Sequence, residues 1–530
     1  MLTSRRKFIK TVGLSAAVLG MPKIFAYNKF NEVQPNIVFI MSDDHAEQAI
    51  SCYGSKLIKT PNIDRIAKEG ILFQNSFVTN SICGPSRATM LTGKYSHING
   101  FRDNKDEFDG SQVTFPKLLQ NAGYQTFLIG KWHLKSTPTG FDNWKVLIDQ
   151  GQYYNPVFKD NETEKEFTGY ATDLIADYAL DMLEQRDRNK PFCLLVHNKA
   201  PHRNWMPAAR HLGAFDNKEI PIPETFFDDY STRENTAGKA DMRISDMYLS
   251  MDMKLKKGFY DHETGSGGSK EFASKVEDIW QTEYDRMNAE QKLLWDNYYD
   301  KINLEFKETK LEGMELVKWK YQRYMKDYLS CILSVDENVG KLLNYLDSNK
   351  LSENTIVVYT SDQGFYLGEH GWYDKRFMFE QSLGMPLVMR YPREIKSEQV
   401  CDKMVLNLDF APTFLDYTNI KIPNEIQGES FRKIAGSSTK VEWRNSIYYH
   451  YYEFPHGWHS VKRHYGIRTE RYKLIHYYND VDLWELYDLK EDPNEVVNLY
   501  DNQGYEKIIE QLKIELKKLQ EKYNDTEIPG

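Results

Sequence analysis

Two segments of the sequence end in the same arrangement of residues that can bind a metal ion. Ile37–Asp44 and Ile356–Gln363 each run from apolar and β-branched residues into Ser-Asp, followed by one more side chain with an oxygen atom. Three carboxylates and an amide oxygen cannot all lie together without a cation, and an all-oxygen set selects a hard ion, calcium or magnesium. For either segment alone, helix capping by the aspartate is the alternative, but the repetition favours a metal site. The predicted ligands are Asp43, Asp44, Asp362 and Gln363.

A cysteine stands at the predicted start of a helix. Residues 83–93 read Cys-Gly-Pro-Ser-Arg-Ala-Thr-Met-Leu-Thr-Gly, and proline and serine are typical of the first turn of a helix. The helix dipole and the free N–H groups at this end favour an anion, and Arg87, one turn further along, can reach the same position. The pattern therefore predicts that Cys83 is an activated thiol in an anion-binding site rather than a buried structural cysteine.

Buried strands are predicted directly before most of these groups. Short apolar runs alternate with amphipathic stretches along the chain, which is typical of an α/β protein. The predicted strands are Ile37–Met41, Thr126–Ile129, Phe192–Val196, Ile356–Thr360 and Pro386–Met389. The first four lead into ionisable residues, and ligands of open α/β sheets bind beyond the carboxyl ends of the strands. Groups that are far apart in the sequence are therefore predicted to converge on one site.

The 530 residues are predicted to form a large domain with an insertion and a smaller C-terminal part. We assign the large domain to residues 33–435 and a charged insertion with helical spacing to residues 232–314, which includes a Gly/Ser patch at 264–269. Residues 440–530 form the C-terminal part, which follows a Gly-Ser-Ser linker at 436–438. It is predicted to contain four antiparallel strands and a closing helix: Ile447–Tyr452, Tyr465–Arg468, Tyr472–Tyr477, Leu483–Leu489 and Glu506–Tyr523.

The N-terminal residues 1–26 have the pattern of a signal peptide for export. A pair of arginines, Arg5 and Arg6, precedes the apolar run Val12–Met21, and small residues end at Ala26. This is typical of a twin-arginine signal, and the apolar run is too short to span a bilayer. We expect a periplasmic or secreted protein with no membrane span. The formal net charge of −9 argues against a general nucleic-acid partner.

The run from Cys83 to Gly93 resembles the signature of the type I sulfatases, a family of the alkaline-phosphatase-like superfamily. The resemblance extends from about Pro35 to the C-terminus. It implies a large mixed sheet flanked by helices, with a smaller C-terminal antiparallel sheet and helix. It also implies that a formylglycine-generating enzyme oxidises Cys83 to formylglycine (3-oxoalanine), whose hydrate is the nucleophile.

The resemblance also assigns the cofactor and the residues around it. It implies that calcium is held by Asp43, Asp44, Asp362 and Gln363, with the modified Cys83 as a bridging ligand; Gln363 stands where many members have Asn or His.

Four further residues match the family's catalytic residues. Lys131 and His133 match a Gly-Lys-x-His pair beside the hydrate, and His202 and Lys375 match a sulfate-binding histidine and lysine. The resemblance implies that Arg87, Lys131 and Lys375 hold the sulfate oxygens. His202 or Lys375 would protonate the departing alkoxide, and His133 would take a proton from the second hydroxyl of the hydrate.

Two further stretches point to a saccharide substrate. The basic loop His456–His464 would suit the mouth of a pocket for a sulfated sugar, and Leu367–Glu380 resembles bacterial polysaccharide-degrading sulfatases. The candidate substrate contacts are His370, His459, Arg463 and His464. We predict an exo-acting carbohydrate sulfatase. Its substrate would be 6-O-sulfated N-acetylglucosamine of glycosaminoglycans or an algal polysaccharide such as ulvan.

Two other functions are alternatives on the same scaffold. A phosphate or phosphonate monoester hydrolase of this fold typically uses Ser or Thr and often two zinc ions, whereas this sequence has Cys83 and an all-oxygen ligand set. A non-catalytic binder of sulfated glycans would be expected to lack some of the site residues. The sugar, the sulfated position, the choice between calcium and magnesium, and the role of residues 232–314 stay open.

Overall fold

A ten-stranded mixed sheet forms the centre of this computed structural model, which describes residues 34–263, 270–436 and 441–526. Its strands, in chain order, are β1 (Asn36–Ser42), β2 (Ile71–Phe77), β3 (Gln125–Lys131), β4 (Asn143–Leu147), β5 (Val157–Asp160), β6 (Glu164–Glu166), β7 (Phe192–His197), β8 (Thr355–Ser361), β9 (Leu387–Arg390) and β10 (Gln399–Leu406). They lie side by side in the order β10-β2-β9-β8-β1-β7-β3-β4-β5-β6. The predicted signal at 1–26, the Gly/Ser patch at 264–269 and linker residues 437–438 lie outside the described residues.

Helices cover the sheet. In chain order the described α-helices are α1 (Pro61–Lys68), α2 (Cys83–Thr92), α3 (Ser96–Asn99), α4 (Phe115–Asn121), α5 (Ala171–Gln185), α6 (Lys270–Asp285), α7 (Ala289–Thr309), α8 (Gly313–Ser348), α9 (Glu380–Leu383), α10 (Phe410–Tyr417), α11 (Arg432–Gly436) and α12 (Glu506–Tyr523). Within the described residues, none of these helices has the length and apolarity needed to cross a bilayer.

The central strand β1 is buried on both faces, as expected for a strand in the middle of an α/β sheet. Its alternate side chains enter two separate hydrophobic cores. Phe39 packs in one core with residues of α2, α10 and the C-terminal sheet. Val38 packs in the other core with residues of α1, α5, α8 and the inserted helices. The sheet therefore separates two apolar layers, and its polar chemistry is confined to the strand ends.

The register of the central strands brings their carboxyl ends to the same edge. β1 runs parallel to β7 and β8, with Met41 opposite His197 and Ser42 opposite Ser361. β3 is parallel to β7, with Gly130 opposite His197. A Cβ atom at Gly130 would lie 1.9 Å from the His197 carbonyl oxygen, so this close approach requires glycine. The residues that follow these four strands therefore meet at one edge of the sheet.

A second sheet follows in the C-terminal part, with four antiparallel strands in sequential order. These are β11 (Ser446–Tyr451), β12 (His464–Thr469), β13 (Tyr472–Tyr477) and β14 (Leu483–Asp488). The predicted fold class is confirmed, because the large mixed sheet, the small antiparallel sheet and the closing helix α12 are all present.

The region assigned as an insertion contains α6, α7 and the beginning of α8. Its two tryptophans lie in the core and not on the surface. Trp280 of α6 and Trp295 of α7 are buried, with ring centroids 6.0 Å apart, and both belong to the core that contains Val38. The inserted helices are therefore packed on one face of the sheet, next to the edge where the strand ends meet.

Candidate active site

Three aspartates lie together at the ends of β1 and β8. The aligned register places Asp43 and Asp44 beside Asp362 and Gln363, and all four side chains are fully buried. Carboxylate oxygens of the three aspartates lie within 4.8 Å of one another. Such a cluster is costly unless a cation neutralises it. The structure thus brings together all four predicted oxygen ligands.

The three carboxylates have different acidities in the absence of a metal ion. Burial, reinforced by the neighbouring aspartates, raises the pKa of Asp44 to about 7 and that of Asp362 to about 6. Burial also opposes ionisation of Asp43, but Lys131 and other cationic neighbours outweigh it and hold that pKa well below its usual range. Without a metal ion, Asp43 is thus ionised at neutral pH, whereas Asp44 is only partly ionised.

The amide of Gln363 fits a cation ligand. Its Nε2 donates to Asp44 Oδ1 at 2.5 Å, while its Oε1 is buried and has no hydrogen-bond partner. An unsatisfied buried oxygen destabilises a protein by about 1–3 kcal/mol, and a hard cation would satisfy it. The donors present are therefore those of an oxygen-coordinated metal site.

Cys83 is the first residue of α2 and its side chain is buried beside the aspartates. Its Sγ donates to Asp43 Oδ1 at 3.3 Å. The expectation of an activated thiol is wrong for the unmodified side chain. Burial and the charge of Asp43 raise the pKa of Cys83 well above its usual value, despite Lys375 and Lys131 nearby. A neutral buried thiol is a poor nucleophile, so the helix N-terminus does not suffice to activate it.

Three cationic side chains surround this thiol and the carboxylates. Arg87 donates from Nε and Nη2 to Asp362 Oδ2 at 3.0 and 2.8 Å. Lys131 donates to Asp43, and Lys375 donates to both carboxylate oxygens of Asp44 at 2.7 and 2.8 Å. Burial acts against protonation of Lys375, but the charge of Asp44 outweighs it and raises the lysine pKa well above its usual value.

His133 is held by a residue that the sequence motifs do not reveal. Gln150 Oε1 accepts from Lys131 Nζ at 2.5 Å, and its Nε2 lies 2.9 Å from His133 Nε2. Because a lysine ammonium only donates, the amide oxygen must face Lys131 and the amide NH2 must face the histidine. His133 Nε2 is therefore the acceptor nitrogen. Burial and Lys131 lower the pKa of His133 well below its usual value, so the ring is neutral.

His202 is also neutral and lies over the aspartates. Its Nδ1 is 2.6 Å from the Arg203 carbonyl oxygen, so Nδ1 is the donor and Nε2 has the lone pair. Nε2 lies 3.7 Å from Asp44 Oδ2. Burial and Lys131 lower the pKa of His202 well below its usual value. Of the two predicted proton donors, His202 and Lys375, only Lys375 has a proton to donate in this state.

A cavity of about 270 Å³ opens above these groups. Cys83, His202 and Lys375 line it at the sheet edge, and the remaining wall comes from several parts of the chain: Asn104, Gln150, Gly151, Lys199, Arg203, Asn204, Met251, Val276, Ile279, Glu283, Asp374, Arg376, Trp458 and His459. This volume is near the lower end of the roughly 300–1,000 Å³ of small-molecule sites. Four of the wall residues, Met251, Val276, Ile279 and Glu283, belong to the insertion.

One wall of the cavity carries paired charges around Lys375. Asp374 Oδ1 accepts from Arg376 Nε at 3.0 Å, and Asp374 Oδ2 lies 3.4 Å from His459 Nε2. Asp374 and Arg376 are buried neighbours of the predicted Lys375, and the sequence reasoning missed both. The sequence did offer a signal for them, because both are charged residues that flank a lysine matching the family.

Of the four candidate substrate contacts, only His459 lines the cavity. His370 is fully buried and its Nδ1 lies 2.8 Å from Asp228 Oδ2. Arg463 donates from Nη2 to Asp480 Oδ1 at 2.9 Å. His464 is buried among aromatic rings, and its Nδ1 bonds the Lys462 carbonyl at 2.7 Å. These three side chains bind other residues of the fold, and none of them lines the cavity.

The family models and the relatives that match this chain all describe sulfatases or a sulphohydrolase. The family model "Sulfatase" matches residues 35–420, and the model "N-sulphoglucosamine sulphohydrolase, C-terminal" matches residues 368–522. The N-acetylglucosamine-6-O-sulfatase of Bacteroides thetaiotaomicron is 49% identical over 98% of this chain and 92% of its own length. The human N-acetylglucosamine-6-sulfatase is 27% identical over 79% of this chain and 67% of its own length.

A solved structure is also similar over nearly the whole chain. It is a complex of a protein with its substrate D-glucosamine-2-N,6-O-disulfate, at 50% identity and a TM-score of 0.88. The match covers 93% of this chain and 99% of that one.

Proposed function

This chain belongs to the sulfatase family, and we propose that it removes the 6-O-sulfate group from N-acetylglucosamine residues of sulfated saccharides. It is a sulfuric ester hydrolase of sulfated carbohydrate. The choice of sugar and position is supported by the relative at 49% identity, which is an N-acetylglucosamine-6-O-sulfatase. It is further supported by the similar solved structure, whose substrate also has a 6-O-sulfate on glucosamine.

One observation carries the proposal. The cavity ends at Cys83, and the charges of Lys131 and Lys375 both act on this thiol while a cluster of three buried carboxylates lies beside it. A sulfate ester needs cations around its oxygens and a nucleophile in line with sulfur, and both requirements meet at this point.

The oxygen cluster fits a calcium ion, and we propose Asp43, Asp44, Asp362 and Gln363 as its ligands. Their buried carboxylates and the unsatisfied Gln363 Oε1 support this assignment. We propose that a formylglycine-generating enzyme converts Cys83 to formylglycine, because the unmodified thiol is buried and neutral. A bound calcium ion and a formylglycine hydrate at position 83 would supply an oxygen nucleophile at neutral pH.

Each of the other site residues is assigned its own role in binding sulfate or moving a proton. We propose that Arg87, Lys131 and Lys375 bind the sulfate oxygens and offset charge in the transition state. His133 accepts a proton at Nε2, which carries no hydrogen, when the Gln150 amide releases the hydrogen bond that it donates to this nitrogen. Lys375, which holds its proton in the pocket, protonates the leaving alkoxide oxygen. His202 Nε2 lies 3.7 Å from Asp44 Oδ2, and we propose that the negative charge of a bound sulfate group favours protonation of this nitrogen, which then donates to a sulfate oxygen.

The paired charges beside Lys375 suit the hydroxyl groups of a sugar. Asp374 can accept and Arg376 can donate hydrogen bonds to adjacent hydroxyls, with His459 behind Asp374. The limited volume of the cavity favours a terminal sugar unit over an internal one, which supports exo action. We further propose that residues 1–26, outside the described residues, direct export to the periplasm or beyond.

Sulfate release from defined sugars tests the proposal. Protein matured together with a formylglycine-generating enzyme is assayed on N-acetylglucosamine bearing sulfate at position 6 or 3, on ulvan, and on matched aryl sulfate and aryl phosphate. We expect release from the 6-sulfate at least 100-fold above the other sugars, and none from Cys83→Ala. Preference for ulvan or for aryl phosphate would replace this function with one of the two hydrolase alternatives. Tight glycan binding without release would indicate a binder.

A further inference from the structure

Lys199 is a buried lysine in the cavity that no motif reveals. It follows β7, is 4% exposed and lines the cavity. Its ammonium has no hydrogen bond and no ion pair within residues 34–263, 270–436 and 441–526. Its one described contact is with the ring of Tyr153, whose centroid lies 4.9 Å from Nζ. A cation is thus held at the ligand-binding surface without an acceptor.

The other buried lysines of the described chain are different. Each has at least one oxygen acceptor from the protein: these lysines are Lys94, Lys131, Lys254, Lys320, Lys375 and Lys473. A buried charge without a partner destabilises the folded state. An unpaired ammonium that faces a cavity is therefore expected where a ligand supplies the missing acceptor.

Charges of both signs act on Lys199. Burial, with the charge of Lys131, lowers the pKa of Lys199 to about 8. Glu283 of α6 acts in the opposite direction and also lines the cavity. Lys199 and Glu283 interact electrostatically but form no ion pair, so neither charge is neutralised by direct contact with the other. Lys199 is thus influenced by Lys131, by a carboxylate of the insertion and by Asp43 and Asp44, none of which forms an ion pair with it.

We propose that Lys199 is an additional anion-binding residue, whose ammonium donates to a sulfate-type oxygen of the bound saccharide, and that Glu283 weakens this interaction. This inference rests on the proposed function. The anionic oxygen has two possible sources, the 6-O-sulfate that is cleaved or a second substituent such as a 2-N-sulfo group. In either case Glu283, in helix α6 of the insertion, lowers the affinity of the site for the anion.

The test uses four variants of the full-length matured protein. Lys199→Met removes the charge, Lys199→Arg keeps it, and Glu283→Gln removes the opposing carboxylate. Lys490→Met is the matched control, because that side chain is 70% exposed and lies outside the cavity wall. Values of kcat and KM are measured with N-acetylglucosamine-6-sulfate and with glucosamine-2-N,6-O-disulfate. Binding of inorganic sulfate is measured separately by calorimetry in a Cys83→Ala background.

A charged hydrogen bond to the substrate predicts that Lys199→Met lowers kcat/KM by about 10- to 100-fold. Lys199→Arg should recover most of this loss, and Glu283→Gln should raise kcat/KM by about two- to fivefold. An equal loss on both substrates identifies the 6-O-sulfate as the anion. A loss confined to the disulfated sugar identifies the 2-N-sulfo group. Values within twofold of wild type on both substrates would overturn the inference.

Stability and sulfate binding distinguish anion recognition by Lys199 from a purely structural role. Lys199→Met removes an unsatisfied buried charge, so its unfolding midpoint should equal or exceed that of wild type; a clear decrease together with lost activity would mean a structural role and would overturn the inference. If wild type releases no sulfate from either sugar, the proposed function fails. The calorimetric comparison with inorganic sulfate still decides whether Lys199 binds anions.

Discussion

Replacing Gln150 is the most direct test of how His133, the proposed general base, is positioned. The amide accepts from Lys131 and donates to His133 Nε2, so Gln150→Leu removes both bonds at once. General-base catalysis contributes about 10²–10⁴-fold to the rate, and a histidine with a free tautomer and orientation should lose much of that. We expect kcat to fall by about 100-fold. The unfolding free energy should fall by about 1–3 kcal/mol, because Lys131 loses an acceptor in a buried site.

A second substitution at this position tests the tautomer itself. In Gln150→Glu a carboxylate has no hydrogen to donate, so it accepts from both Lys131 and His133 and favours a proton on His133 Nε2. The carboxylate raises the pKa of His133, and a base is competent only above its pKa. The loss of kcat should therefore be largest at low pH and should diminish as pH rises, whereas the loss in Gln150→Leu should not depend on pH.

The assay is sulfate release from N-acetylglucosamine-6-sulfate between pH 5 and 9, with unfolding followed by circular dichroism. Gln120→Leu is the control, because that amide donates to Asp142 at 2.8 Å, outside the residues that line the cavity. If both Gln150 variants keep kcat within threefold of wild type and keep its pH profile, the assigned role of the amide is wrong.

Three further predictions follow from the site and its surroundings. Cys83→Ala should abolish turnover and leave the unfolding midpoint nearly unchanged, because Sγ makes only weak hydrogen bonds, donating to Asp43 Oδ1 at 3.3 Å and accepting from Gln363 Nε2 at 3.8 Å; full turnover would contradict the assigned nucleophile. Calcium added to chelator-treated protein should raise the unfolding free energy by about 2.7 kcal/mol at 100-fold excess over Kd, and an unchanged melting curve would argue against a cation site. Burial lowers the pKa of His464 to about 3, so the folded state keeps this ring neutral while the unfolded state gains a proton below pH 6.5. Stability should fall from pH 6.5 towards 3, by about 1.4 kcal/mol per pH unit for one such group, and less steeply in His464→Phe; equal slopes in chemical unfolding would refute this.

The catalytic edge of the sheet could be predicted because its signals are local in sequence. A strand such as Ile37–Met41 is marked by its own apolar residues, and the polar group that follows it is adjacent in the chain. Parallel strands place such groups at one edge whatever their separation, and Asp43 and Asp362 meet there although 319 positions apart in sequence. The fold class and the meeting of the four proposed metal ligands at one edge therefore followed from the sequence.

Three of the four predicted substrate contacts, His370, Arg463 and His464, do not line the cavity, because a side chain's partner is not visible in its own segment. His370 was chosen for its motif, but Asp228, which lies 142 positions earlier, binds it in the interior. Arg463 was chosen for its position in a basic loop, and Asp480 neutralises it. Gln150 and Lys199 were missed for the same reason, since neither residue type in isolation indicates what it will face.

The sequence by itself determined five strands of the large sheet, the four strands and the closing helix of the C-terminal part, the residues that follow the central strands, and the family that they resemble. Only the tertiary structure decided the charge state of Cys83, the hydrogen-bonding nitrogen of His133 and the contribution of the inserted helix α6 to the cavity wall. The physical reason is that burial and electrostatic energy depend on distances in space between groups from different segments. Periodicity and spacing describe one segment at a time and contain no such distances.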